Sequence, residues 1–193
     1  MKTIGITGGI GSGKTVVSHI LEILSYPVYN ADLQAKHLMQ TSFRLKEKLT
    51  ALLGNDIYTD GQLNRSYMAS LIFSDAGLLR EVNRLVHPEV KKDFREWCAR
   101  QNRPLLFLES AILYESGFDD TVDRIWVVTA PEAIRLSRVS ERDRIPEERV
   151  KERMRAQSSE EEKTGRADRV IINDGVSPLL RQIQHAVDEE SEE

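Results

Sequence analysis

The run Gly8-Gly9-Ile10-Gly11-Ser12-Gly13-Lys14-Thr15 matches the pattern G-x-x-x-x-G-K-[ST] in full. Each residue type in it has a task in holding a polyphosphate. Glycines let the backbone curl so that N–H groups point inward at phosphate oxygens. A helix starting near Gly13 adds the positive end of its dipole. Lys14 supplies a mobile positive charge for the β- and γ-phosphates, and the Thr15 hydroxyl is a ligand for Mg²⁺. Gly9, Ile10, Gly11, Ser12, Gly13, Lys14, Thr15 and Val16 are the expected ATP-binding residues. A glycine-rich turn can match by chance, but this one follows the β-branched run Thr3–Thr7 and precedes an apolar-periodic segment, Val16 to Leu24, which is the context the motif requires.

Two carboxylates fall where phosphoryl-transfer chemistry needs them. Asp32 directly follows the apolar run Val28–Asn30. At the C-terminal edge of a sheet it would orient and deprotonate an acceptor hydroxyl; the alternative is a helix N-cap ahead of Leu33. Glu109 ends the run Leu105–Leu108. An acid there holds Mg²⁺ through water in the Walker B manner, or is an ordinary polar strand end. Arg135, Arg138 and Arg142 lie at i, i+3 and i+7 on one helical face, and Arg149 and Arg153 form a second pair. Like charges so spaced repel by about 0.2–0.5 kcal/mol per pair. Arg138 and Arg142 have no acid four residues away, so the stripe suits a polyphosphate whose charge spreads in the transition state. The other reading is a solvated face softened by nearby glutamates.

Several nucleotide-binding classes are excluded by absent strings. No D-x-x-G or N-K-x-D occurs for a GTPase, and no L-S-G-G-Q for a transporter ATPase.

These residues need a rigid frame. The chain has 193 residues, 40% of them hydrophobic and 30% charged, enough for one α/β domain with an insertion and not the composition of a disordered chain. A net charge of −4 gives no bulk attraction to nucleic acid or membrane. The single cysteine, Cys98, allows no internal disulfide and suits a reducing compartment, so a cytoplasmic location is expected. No signal-peptide or membrane-spanning stretch is present. The acidic end, Asp188–Glu193, reads as a frayed, solvated tail. The sequence sets no oligomeric state; a monomer is compatible with it.

Five runs read as strands: Thr3–Thr7, Val28–Asn30, Leu105–Leu108, Ile125–Thr129 and Val170–Asn173. The last three have the apolar character of strands buried on both faces. Helical segments between them imply a parallel sheet with right-handed crossovers. Between Asn30 and Leu105 the expected helices are Leu33–Gln40, Phe43–Leu53, Arg65–Phe73, Asp75–Leu85 and Pro88–Gln101. That is an all-helical insertion over one end of the sheet. A second, Arg-rich excursion at 131–159 turns at Arg144-Ile145-Pro146. The fold class is thus α/β: a P-loop NTPase core of five parallel strands flanked by helices, with a helical insertion and an Arg-rich lid. The core covers about 1–31, 104–130 and 160–193, the insertion about 32–103, and the lid about 131–159.

Taken together, these residues resemble dephospho-coenzyme A kinase over most of the chain. Thr7 to Lys14 is similar to that family's opening, and Asn30-Ala31-Asp32 to its Asp-Ala-Asp. Asp60-Gly61-Gln62-Leu63-Asn64-Arg65 is similar to its D-G-x-L-x-R, and His87-Pro88 to its His-Pro. Ala111-Ile112-Leu113-Tyr114-Glu115 stands where the family has Pro-Leu-Leu-Phe-Glu. Arg138 and Arg142-Asp143 fall in its lid, Gln157 and Ala167-Asp168 follow in its order, and Ile172-Asn173-Asp174-Gly175 is similar to its closing Asn-x-Gly turn.

The resemblance implies ATP·Mg²⁺-dependent phosphorylation of the ribose 3′-hydroxyl of dephospho-CoA, the last step of coenzyme A biosynthesis. It makes Asp32 the general base, with Lys14, Arg138 and Arg142 catalytic. Asn173 and Gly175 join the ATP site near the adenine. Arg65, His87, Leu113 and Tyr114 join Asp32 at the acceptor, and Thr15 and Glu109 hold the metal. Two positions depart from the family pattern: Asn30 replaces an acid and Ala111 a proline. The alternatives in view are another small kinase, acting on a nucleoside monophosphate or a hydroxyl metabolite, and a non-catalytic ATP sensor.

Overall fold

β-Branched and apolar residues dominate five short runs, and each run forms a strand of one parallel sheet. The structure, a computed structural model, describes residues 1–192. The elements in chain order begin with β1 (Lys2–Thr7), α1 (Lys14–Ile23), β2 (Val28–Asn30), α2 (Ala31–Thr41) and α3 (Phe43–Leu53). There follow β3 (Tyr58–Thr59), β4 (Gln62–Leu63), α4 (Arg65–Phe73), α5 (Ala76–Ala99) and β5 (Leu105–Glu109). The chain closes with β6 (Arg124–Thr129), α6 (Glu132–Asp143), α7 (Glu147–Arg155), α8 (Glu160–Gly165), β7 (Arg169–Ile172) and α9 (Leu179–Glu192). Two compact units emerge: Ala31–Arg100, and Met1–Asn30 together with the described residues from Gln101 onward.

In the larger unit the sheet order is β2-β5-β1-β6-β7, with every pairing parallel. The register sets Ile6 opposite Glu109, Asn30 opposite Glu109, and Thr7 opposite Val127. The C-terminal ends of β1, β2 and β5 are therefore level, and the loop after the central strand opens between its neighbours. That is where open α/β sheets bind ligands. One face of the sheet packs Ile4, Ile6, Leu105, Phe107, Trp126 and Val128 against Val17 and Leu21 of α1 and Ile183, Ala186 and Val187 of α9. Phe107 and Trp126 meet edge-on, centroids 5.3 Å apart, a geometry worth about 0.5–1.5 kcal/mol beyond area burial.

β5 is buried along its whole length, and β6 nearly so. β7 is not. It is the edge strand, and Val170 and Ile172 face outward while Ile171 is buried. An apolar strand pattern does not distinguish a two-sided strand from an edge strand covered on one face. The acidic end is also ordered rather than frayed. Asp188 to Glu192 continue α9, whose apolar stripe Ile183, Ala186, Val187 carries Glu190 inward at i+7. There Glu190 accepts hydrogen bonds from Trp126 Nε1 (3.2 Å) and Lys2 Nζ (3.2 Å). Glu193, the last residue of that run, lies outside the described residues.

The smaller unit is helical with one exception. β3 and β4 form an antiparallel hairpin whose turn, Asp60-Gly61, has positive φ at both residues (51° and 76°). An Asp-Gly pair between short apolar runs is a hairpin signal, and it corrects the all-helical expectation. The two helices expected at 75–85 and 88–101 are one, α5, with Pro88 inside it. Val82, Val86, Val90 and Phe94 repeat at i+4 and are all buried. That continuous stripe holds the helix together across the backbone hydrogen bond that proline removes. His87 is accordingly a mid-helix residue.

Candidate active site

The P-loop turns between β1 and α1. Ser12 N–H donates to Gly9 O (3.1 Å), and Val16 and Val17 N–H groups both donate to Gly13 O (3.0 and 3.2 Å). Gly13 has φ 94°, a left-handed conformation that suits glycine. A Cβ there would lie 2.1 Å from Asn173 Nδ2, which uses the space to donate to Ser12 O at 2.9 Å. Gly9 is glycine for a different reason. A Cβ there would meet Arg135 Nη1 at 2.3 Å and Glu160 Oε2 at 2.5 Å, an ion pair pressed onto the loop (2.9 Å). Lys14 Nζ folds back onto the carbonyls of Gly8 (2.8 Å) and Gly9 (3.3 Å).

Beside the loop, Thr15 Oγ1 donates to Glu109 Oε1 at 3.0 Å, and Asn30 Nδ2 donates to Glu109 Oε2 at 3.0 Å. Glu109 is 6% exposed, so this carboxylate is spent on the site rather than on solvent. Two hard oxygens side by side are the donor chemistry that Mg²⁺ takes, and the shell would be completed by phosphate oxygens and water. Among the described residues no group of three or more His, Cys, Asp or Glu is placed to hold a metal alone. Asn30 keeps a polar tie to Glu109 without adding a second negative charge.

α6 lies along the other side of the loop. The arginine stripe is differentiated by its surroundings. Arg135 is buried and paired with Glu160; Arg138 Nη1 donates to Asn173 O (3.0 Å); Arg142 is paired with Asp143 (2.8 Å). Arg153 shares Asp143 at 2.7 Å. Arg142 thus has its offsetting acid at i+1. Spacing by four residues could not find it, because the helix ends there in left-handed Arg144 (φ 53°). The hydrogen bond and charge of Arg142, then those of Arg153, hold the Asp143 carboxyl below the usual carboxylate range.

Asn173 joins three elements: its N–H donates to Thr129 O (2.8 Å), its side chain to Ser12, and its carbonyl accepts from Arg138. Gly175 is exposed in the following turn, which Asp174 organises by accepting from Val176 and Ser177 N–H groups. Leu113 is fully buried, its Cδ1 2.6 Å from a Cβ built on Gly5. It has no surface to offer a ligand and forms the floor beneath β1. Tyr114 is buried too, with Arg166 stacked 4.0 Å over its ring and its hydroxyl donating to Lys163 O. Burial raises its phenol pKa against the opposing charge of Arg166.

In the smaller unit, Asp32 is the second residue of α2. It sits in the first turn, where a carboxylate complements the helix dipole, rather than ahead of the helix as a cap. Arg65 opens α4 behind the cap Asn64 and is exposed. His87 is half-buried, and burial, then the charge of Lys91, lowers its pKa.

Three features of the site had no pattern to announce them: the Arg135–Glu160 pair on Gly9, the Asn30–Glu109 hydrogen bond, and the fully buried Lys163. Lys163 Nζ sits 3.3 Å from Glu115 Oε1, a charge contact rather than an aligned hydrogen bond. Burial pushes the Glu115 carboxyl up. The Ser158 N–H (2.9 Å) and the Lys163 charge outweigh this and leave it below its ordinary value.

Comparison with known proteins covers nearly the whole chain. Residues 2–178 match the family model described as dephospho-CoA kinase. A dephospho-CoA kinase of Bacteroides fragilis is 44% identical over 181 residues, 93% of this chain and 88% of its own. One from Porphyromonas gingivalis is 44% identical over 190 residues, 97% of this chain and 94% of its own. A crystal structure from Thermus thermophilus superposes with TM-score 0.88 at 37% identity, covering 98% and 97% of the two chains.

Proposed function

The chain belongs to the dephospho-CoA kinase family, and from that premise we propose which of its residues carry the reaction. The activity is ATP-dependent transfer of the γ-phosphate to the 3′-hydroxyl of dephospho-CoA, giving coenzyme A and ADP, the final step of coenzyme A biosynthesis. ATP is used with Mg²⁺. The observation that carries the reading is a complete P-loop whose Thr15 meets the strand-end acid Glu109, within a family match spanning residues 2–178.

Phosphoryl transfer asks the protein mainly for positioning and for charge where charge develops. Lys14 leaves the Gly8 and Gly9 carbonyls and meets the β- and γ-phosphates. Thr15 and Glu109 would hold the metal, which would supply positive charge to offset that developing on the transferred group. Arg138, which bonds the Asn173 carbonyl beside the P-loop, stabilises the equatorial oxygens together with Arg142. Asn173 and Gly175 border the adenine. Asp32 accepts the acceptor hydroxyl's proton as the oxygen attacks. Arg65 and His87 of the insertion, about residues 32–103, bind the acceptor together with Tyr114 of the segment after β5. Residues 131–159 act as a lid, because an open site would let water take the phosphoryl group. The substrates are small molecules, with no nucleic-acid or membrane partner, and the same proposal puts the enzyme in the cytoplasm. Among the described residues no helix is long and apolar enough to cross a membrane.

The test is ADP release by purified protein with ATP and dephospho-CoA, set against AMP, CMP, UMP and shikimate. Turnover with dephospho-CoA far above the others is expected. Turnover with a nucleoside monophosphate or shikimate instead, or none with any acceptor, overturns the reading.

A further inference from the structure

Gln157 follows α7 and stands where three segments converge. Its Oε1 accepts the Ile10 N–H at 3.0 Å, and its Nε2 donates to Ala111 O at 3.4 Å. The orientation of the carboxamide is settled by its partners, because a backbone N–H can only donate and a carbonyl only accept. A single side chain thereby ties the crest of the P-loop to the segment that follows Glu109 and β5. The next residue repeats the tie: Ser158 N–H donates to Glu115 Oε1 at 2.9 Å, and Glu115 faces the buried Lys163. Glu160, three residues on from Gln157, reaches Arg135 against Gly9. Residues 157–163 therefore touch the P-loop at Gly9 and Ile10 and the post-β5 segment at Ala111 and Glu115.

We propose that Gln157 is a positioning residue for phosphoryl transfer, setting the post-β5 segment in fixed register with the P-loop through its two hydrogen bonds. The inference rests on the dephospho-CoA kinase reading, in which 111–115 belongs to the acceptor side. A side chain here must accept at one atom and donate at the other. Glutamine does both; glutamate, methionine and leucine do not. Ala111 has no ring to restrain its own φ, so the hydrogen bond to its carbonyl is the restraint that Gln157 adds. Losing the register separates the bound acceptor from the γ-phosphate without removing any group that touches either. Its signature is a split: ATP binding is kept, use of the acceptor is impaired, and water gains access.

The experiment compares full-length wild type, Gln157→Met and Gln157→Glu. Measured for each are steady-state constants for both substrates, ATP hydrolysis without acceptor, and melting temperature. Q157M should lower kcat/KM for dephospho-CoA about tenfold, the worth of one to two hydrogen bonds. Its KM for ATP should stay within about twofold, and a larger share of ATP should be hydrolysed without CoA formation. Q157E keeps the contact to Ile10 and loses the donor to Ala111, so it should share the acceptor defect. If Q157M fails to fold, Q157E carries the test alone. The proposal is overturned if dephospho-CoA kinetics and coupling are unchanged. It is equally overturned if activity falls only through kcat, with both KM values and the coupling intact, as a smaller folded fraction would give. Absence of CoA formation by the wild type would instead sink the family reading, so the two failures are distinct.

Discussion

The hydroxyl of Thr15 and the carboxylate of Glu109 lie 94 residues apart in the chain and meet at 3.0 Å. The parallel register places Ile6 opposite Glu109, so the last residue of β5 is level with the start of the P-loop. Asn30 holds the other carboxylate oxygen from β2. The first turn of α1 and the end of β2 thus fix the carboxylate at the end of β5.

Glu109→Gln keeps an oxygen to accept from Thr15, turns a donor toward Asn30, and removes the charge offered to Mg²⁺. The Mg²⁺ concentration giving half-maximal velocity should rise about tenfold, the order seen when a metal-supporting group is lost. Initial velocities measured across a Mg²⁺ titration check it. An unchanged Mg²⁺ requirement would remove Glu109 from the metal site.

Asp32→Asn should lower turnover by about 10²–10⁴-fold, the usual contribution of a positioned base, with ATP affinity nearly unchanged. Equilibrium binding of ATP and the melting temperature separate this from a helix effect. A loss of stability as the main outcome would make Asp32 a first-turn helix residue and nothing more.

Gly13→Ala combines a strained left-handed φ with a clash against Asn173 Nδ2. A strained backbone position costs about 1–3 kcal/mol, which in a chain of this size lowers the melting temperature by about 2–4 °C per kcal/mol. ATP binding should weaken with it, because Asn173 must leave Ser12. Gly9→Ala, at ordinary φ, should instead disturb the Arg135–Glu160 pair. Calorimetric melting with and without ATP reads both, and a Gly13→Ala protein with normal melting and binding would refute the packing described.

Glu115 gives the pH prediction. Its folded carboxyl lies below the ordinary 4.5, so its contribution to stability is complete above that value and is lost as pH falls through the folded value. Lys163→Met removes that counter-charge, so the folded carboxyl rises toward its ordinary value and the acid-sensitive contribution of Glu115 shrinks. Glu115→Gln removes the titrating group and should flatten that acid limb. Unfolding curves from pH 7 down to pH 3 distinguish them; identical acid limbs in all three proteins would exclude the pair as a source of acid sensitivity.

Local chemistry made the larger part of this protein legible from its residues. The P-loop is contiguous, and its glycines, lysine and threonine act within one turn of backbone. Strand runs and most helices follow from residue type and period, and they agree with the structure to within one or two residues at most ends. Pro88 misled because a breaker is a local signal, whereas the buried stripe from Val82 to Phe94 that overrides it is a property of packing. The acidic end misled for the same reason: nothing near Glu190 in sequence shows that Trp126 and Lys2 wait for it. The arginines were visible as a stripe, but which of them is already neutralised depends on Glu160 beyond α7 and on where α6 ends. Gln157 and Lys163 lie outside any periodic pattern. Their partners, Ile10, Ala111 and Glu115, are brought within 3–4 Å only once strand order puts β1 beside β5. A short-range contact between distant residues costs chain entropy that only the assembled sheet offsets. The type of chemistry was therefore written in the sequence, and the identity of the groups that aim it came from the folded chain.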